Sequence, residues 1–144
     1  MIKNISVAEA HQAQQSGSVY VDVRSVPEFD QAHPAGAYNV PLLHLDERTG
    51  QMRPNAEFVD VMKANFAHDV PLLVACQAGV RSVQACELLA AAGFTNLANV
   101  RGGFGGSRFG EPGWLHAELP VETSATSGRD YATLRRVDSR KADA

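Results

Sequence analysis

Short apolar runs rich in β-branched residues alternate with amphipathic stretches along this chain, and turn residues separate them. Val7 to Gln15 reads as a short helix, with Ser6 as its cap and Glu9 completing a capping box. Val19 to Val23 is short and β-branched, the pattern of a buried strand. After Arg24 and Ser25, Pro27 opens a one-turn helix that carries Glu28 and Phe29. His33 to Gly36 is turn chemistry, and Ala37 to Val40 reads as another short strand closed by Pro41. Leu42 to Pro54 reads as an irregular connection. Asn55 then caps a helix whose Phe58, Val59, Met62 and Phe66 follow helical spacing.

Pro71 to Ala75 is the clearest buried strand, and it runs straight into Cys76. A helix follows from about Ser82 to Ala92, with Gly93 at its C-terminal cap, and Leu97 to Val100 makes a last strand. Strands alternating with helices predict an α/β fold: a mainly parallel central sheet with helices on both faces. Ligands in such sheets sit beyond the carboxyl ends of the strands, which is where Cys76 falls.

Composition narrows the function classes. The chain has 144 residues, 44% hydrophobic and 20% charged, with a formal net charge of −3. A domain near ~150 residues buries roughly 70% of its unfolded surface, so no metal or disulfide staple is needed. No run approaches the ~18 apolar residues of a membrane span, and the first residues lack the apolar core of a secretory signal. The expected location is therefore cytoplasmic, with neither membrane nor nucleic acid as a partner, since the body carries no basic run. Two cysteines form no disulfide framework and are expected as free thiols. The expected division is a domain over 1–122 and a polar tail over 123–144. Tyr131, Leu134 and Val137 of that tail share one side of a short helix, so it reads either as frayed chain or as a docked terminal helix.

The segment Cys76-Gln77-Ala78-Gly79-Val80-Arg81-Ser82 puts a thiol at a strand end, then a short loop, then a helix start. Helix N-termini and nearby cations favour the thiolate, the form that attacks. Loop amides converge into a nest for an anion, and Gly79 supplies the backbone freedom this requires. Arg81 adds a fork of donors, and Ser82 reads as the cap of the following helix. An isolated cysteine at a strand end is more often plain core; the glycine, arginine and serine beside this one point to a reactive sulfur.

The same loop resembles the active-site loop of the rhodanese (sulfurtransferase) family. Val21 to Arg24 with Glu28, Phe29, His33, Pro34, Gly36, Ala37 and Asn39 to Pro41 resembles that family's N-terminal signature. Leu88-Leu89, Gly93-Phe94, Asn99-Val100, Gly102-Gly103, Trp114 and Leu119 to Glu122 resemble its later parts. The resemblance spans Ile5 to Glu122 and implies a rhodanese-like three-layer fold. Four residues separate Cys76 from Arg81. The rhodanese-like phosphatases carry one more, so the loop matches the sulfurtransferase branch. The implied reaction carries sulfane sulfur from thiosulfate or a persulfide to a thiophilic acceptor through a Cys76 persulfide, with ping-pong kinetics and neither metal nor organic cofactor. Partners are then a small sulfur donor and a thiol or cyanide acceptor, with a protein persulfide as an open alternative. A non-catalytic interaction module of the same fold is the second reading. Such modules commonly lack the cysteine.

Other residues carry a bland reading beside a functional one. Asp22 and Arg24 either brace the cysteine loop or form a salt bridge that only holds the fold, with Glu28 as another partner for Arg24. Arg81 either orients a sulfonate or pairs outward with Asp22 or Glu28. His33 reads as a turn-stabilising residue, and Cys86 as a packed helix residue rather than a resolving thiol. The run Gly102 to Gly106 is not a dinucleotide fingerprint; the longer loop Gly105 to Gly113, with Arg108 and Glu111, is expected to border the pocket.

Overall fold

The computed structural model of the chain describes residues 2–124 and 128–143. Its elements in order are β1 (Ile2–Ile5), α1 (Val7–Gln15), β2 (Val19–Asp22), α2 (Val26–Gln31), β3 (His33–Pro34), β4 (Tyr38–Asn39) and β5 (Leu43–Asp46). There follow β6 (Gln51–Pro54), α3 (Phe58–Asn65), β7 (Leu72–Ala75), α4 (Arg81–Ala91), β8 (Leu97–Val100), β9 (Val121–Glu122) and α5 (Tyr131–Asp143). Five strands form one sheet in the order β1-β8-β7-β2-β4, and every pairing in it is parallel. This is the expected α/β architecture, with the strongest strand at its centre.

Period-two alternation along the strands divides the interior into two cores. Val21, Val23, Leu72 and Val74 meet Phe58, Met62, Ala85 and Leu89 of α3 and α4 on one face. Tyr20, Leu73, Ala75 and Ala98 meet Val7 and Ala10 of α1, Phe29 of α2, and Trp114 on the other. Local signals act as read at several ends. Ser6 accepts from the Glu9 amide while the Glu9 carboxylate accepts from the Ser6 amide. At the end of α4 the Phe94 amide donates to Leu89 and the Gly93 amide to Ala90, the paired bonds of a Schellman motif with Gly93 at φ 102°.

Four local readings need correction. The connection 42–54 contains an antiparallel hairpin, β5 with β6, rather than irregular chain. His33-Pro34 is a two-residue strand paired with β9, and the turn is confined to the residues after it. Asn55 does not cap α3, whose N-cap is Glu57. Instead the Asn55 side chain accepts from the Glu57 amide and donates to the Pro41 carbonyl and the Tyr131 hydroxyl. Ser82 is not the cap of α4: Arg81 is already helical and Val80 precedes it.

Of the 123–144 segment, residues 125–127 and 144 lie outside the described residues. Within it α5 packs on α3, with Tyr131 and Leu134 buried in the α3–α4 core. The Asn65 side chain donates to the Leu134 carbonyl, which ties the two helices by a polar contact as well.

Candidate active site

Cys76 follows β7 directly and is 2% exposed. The loop after it folds back over the sulfur. The amides of Gly79 and Ser82 both point at Cys76 Sγ, at 3.1 and 3.4 Å. Backbone donors on a sulfur cost no side-chain entropy and suit an anion there. Gly79 holds φ at 87°, and a Cβ at this position would lie 2.4 Å from the Arg101 carbonyl oxygen. Only glycine fits a turn that tight.

The glycine-rich segment after β8 lies against this loop. Phe104 donates its amide to the Cys76 carbonyl and Gly105 to the Gln77 carbonyl, each at 2.9 Å. A Cβ on Gly103 would sit 2.4 Å from the Cys76 oxygen, and one on Gly105 would strike the Gln77 side chain. These glycines permit close approach of two backbones. The extension beyond them borders a cavity of about 320 Å³, where Ser107, Arg108, Phe109 and Glu111 face Ala78, Gly79 and Val80.

Arg24 and Arg81 are both paired. Arg24, 3% exposed, grips Asp22 through Nε and Nη2 at 2.8–3.1 Å. Its Nη2 also donates to the Ala32 carbonyl, and Nη1 donates to Gln77 Oε1 at 3.3 Å. The guanidinium lies 4.4 Å from the centroid of the Phe104 ring. Asp22 and Arg24 thus form a fold-holding salt bridge and also reach the cysteine loop; Arg24 does not pair with Glu28. Arg81 turns outward and clamps Glu28, with Nη1–Oε1 at 2.8 Å and Nη2–Oε2 at 3.1 Å. Burial by itself would raise the Glu28 carboxyl; the Arg81 bonds and charge, with the Ser25 hydroxyl and amide, outweigh it and hold the group at about 2. Arg24, Glu28, Gln77, Phe104 and Leu115 line a cavity of about 510 Å³ at the mouth of the loop.

The other candidates fall as follows. His33 is buried, stacked on Phe29 at 3.7 Å, with Nδ1 2.7 Å from the Phe29 carbonyl. Cys86 is 0% exposed on the apolar side of α4; burial, with Cys76 nearby, pushes its thiol up to about 12. Gln77 and Val80 are exposed at the loop surface, and Ala78 is half-buried.

Two residues of the site escaped sequence reasoning. Ser82 Oγ donates to Asn99 Oδ1 at 2.6 Å, and Asn99 Nδ2 donates to Asn4 Oδ1 at 3.1 Å. One signal pointed there: Asn99 is a polar residue in a fully buried strand, next to the cysteine strand and opposite Val74. Strand ends on that side carry the site.

Known proteins resemble this chain over most of its length. The family described as Rhodanese-like domain matches residues 6–106. An Arabidopsis thaliana protein named thiosulfate sulfurtransferase 16, chloroplastic, is 36% identical over 101 residues, spanning 70% of this chain and 82% of that protein. Thiosulfate sulfurtransferase GlpE of Haemophilus influenzae is 31% identical over 123 residues, spanning 85% of this chain and 96% of the relative. The crystal structure of Rv0390 from M. tuberculosis has a TM-score of 0.70 at 24% identity, covering 85% of this chain and 98% of that one. Among the described residues, no helix is long and apolar enough to cross a membrane.

Proposed function

The chain belongs to the rhodanese-like domain family, and from that premise we propose that it is a sulfurtransferase in which Cys76 carries the sulfur. The observation that supports this most is the pair of backbone amides, from Gly79 and Ser82, aimed at one sulfur at a strand end. They stabilise negative charge on Sγ, whether thiolate or persulfide.

In the first half-reaction the Cys76 thiolate attacks the outer sulfur of a donor such as thiosulfate. A bond forms between Sγ and that sulfur, and the donor's S–S bond breaks with its electron pair leaving on sulfite. Cys76 is left as an anionic persulfide. In the second, cyanide or a thiolate attacks the outer persulfide sulfur and the Cys76 thiolate returns. Two half-reactions through one covalent intermediate give ping-pong kinetics. The loop amides from Gln77 to Ser82 form the cradle for the transferred sulfur, and Asp22 and Arg24 brace it through Gln77. Arg81 also braces, because its donors are committed to Glu28. The named relatives support small sulfur donors and acceptors as substrates. Two free thiols suit a reducing compartment such as the cytoplasm.

The test is thiosulfate:cyanide sulfur transfer on wild type, Cys76→Ser and Cys86→Ser, with intact mass after thiosulfate. Wild type and Cys86→Ser should each gain one sulfur and turn over, while Cys76→Ser does neither. A wild type left unmodified by thiosulfate and by small persulfides alike would make the chain an interaction module instead.

A further inference from the structure

Below the cysteine loop runs a line of polar side chains that sulfur transfer, as written above, does not use. Ser82 Oγ is 3.5 Å from Cys76 Sγ, Asn99 Oδ1 is 2.6 Å from Ser82 Oγ, and Asn4 Oδ1 is 3.1 Å from Asn99 Nδ2. Ser82 is 0% exposed and Asn99 4%, whereas Asn4 is exposed. The two backbone amides point at the sulfur, but along this side-chain line every hydrogen points away from it. The thiol donates to Ser82, the hydroxyl to the Asn99 carbonyl, and the Asn99 amide to Asn4. That order suits a neutral thiol. It withholds the one hydroxyl proton of Ser82 from a sulfur anion.

A primary amide has an acceptor on one side and donors on the other, and a half-turn of its terminal torsion exchanges them. With both amides turned, Asn4 donates to Asn99, Asn99 donates to Ser82 Oγ, and the Ser82 hydroxyl donates to Sγ. We propose that Asn99 is a positioning residue whose amide lets this chain reverse direction as Cys76 passes between thiol and its anionic thiolate and persulfide states. The thiol proton leaves to solvent, so none travels along the chain; one hydroxyl rotor and two amides change. The exposed Asn4 ends the chain in water in either order. The proposal rests on Cys76 being the sulfur carrier.

Charged and titratable groups surround the sulfur from several sides. Tyr20 on β2 and Arg81 and Cys86 on α4 feel its charge directly, while Asp22 and Arg24, at and just after the end of β2, and Glu28 on α2 act on Tyr20 and Arg81 in turn. Arg101 and its partner Glu111 share a cavity wall with Asn99. The variants below leave all of these in place, and comparing the wild-type and Ser82→Ala backgrounds separates the hydrogen-bond chain from the charge that an aspartate adds.

The experiment is the pH dependence of Cys76 alkylation by iodoacetamide, read by intact mass. Asn99→Asp keeps the acceptor and removes the donors, so it should slow alkylation near neutral pH about tenfold, the worth of one hydrogen bond to the anion, and move the profile to higher pH. Ser82→Ala breaks the link, so in that background the same change should cost about threefold or less, the remainder being plain charge repulsion. Equal factors in both backgrounds, or no shift at all, overturn the proposal. Should Asn99→Asp fail to fold, the exposed end decides. Asn4→Asp should slow alkylation about two- to threefold and Asn4→Ala should not; identical profiles for the two overturn it. Sulfur uptake from thiosulfate, weighed on the same samples, reports separately whether Cys76 is the carrier.

Discussion

Cys76 and Cys86 lie ten residues apart and are equally hidden, 2% and 0% exposed, yet their surroundings oppose each other. Cys76 ends a strand, and two backbone amides and a hydroxyl meet its sulfur. Cys86 sits within α4 in the core with Ala85 and Leu89, and burial drives its thiol up to about 12. On the proposed function, burial alone therefore does not distinguish the two. What separates a core cysteine from a nucleophile is whether hydrogen-bond donors converge where the negative charge will sit.

Removing the convergence is the strongest way to break that contrast. Gly79→Ala forces a Cβ against the Arg101 carbonyl at a positive φ, so the loop must shift and its amide must leave the sulfur. Sulfur transfer should fall ~100-fold or more, with a stability loss of about 1–3 kcal/mol; steady-state kinetics and thermal melting check both. Cys86→Ser sharpens the contrast from the other side. A hydroxyl in that apolar setting should cost about 1–2 kcal/mol in urea unfolding while turnover per folded molecule stays within about twofold.

Alkaline pH tests the Cys86 side of the contrast next. The Cys86 thiol titrates at ~8.5 when unfolded and at about 12 when folded, so its contribution to stability is complete below ~8.5 and is lost as pH rises toward 12. Stability should fall by about 1–2 kcal/mol by pH 10, and Cys86→Ala should show a flatter alkaline limb. The smallest effect belongs to Glu28. With its carboxyl depressed to about 2, its contribution is present above ~4.3 and is lost as pH falls through 2. The pair is partly exposed, so Glu28→Gln should cost less than about 1 kcal/mol at neutral pH and flatten the acid limb of a melting series.

How legible each part was follows from how local its physics is. β7 was readable because a strand buried on both faces is a continuous apolar run, and Cys76 because it ends that run before a glycine and an arginine. β1 was not read. Its Ile-Lys-Asn-Ile sequence belongs to a half-exposed edge strand, and only pairing with β8 makes it one. The β5–β6 hairpin escaped for a similar reason, since all four residues of β6 are exposed and no hydrophobic alternation marks them. Ser82 and Asn55 both looked like helix caps because their residue types favour that place. Each is instead committed to a partner far along the chain, Asn99 for Ser82 and Tyr131 for Asn55, and those bonds set where the side chain points.

By itself, the sequence determined the alternation of strands and helices, the parallel α/β class and the cysteine at a strand end. It also determined the glycine without which the loop after that cysteine cannot close. These depend on neighbours a few positions apart, through torsional preference and the burial of short apolar runs, although the Arg101 carbonyl that also excludes a side chain at Gly79 is brought there only by the fold. The tertiary structure decided that Arg81 takes Glu28 and that Arg24 reaches Gln77, that the 102–106 glycines seat the cysteine loop, and that Ser82, Asn99 and Asn4 line up beneath the sulfur. Those outcomes rest on hydrogen bonds between residues 17 to 95 positions apart, which form only after the parallel sheet has brought its strand ends together.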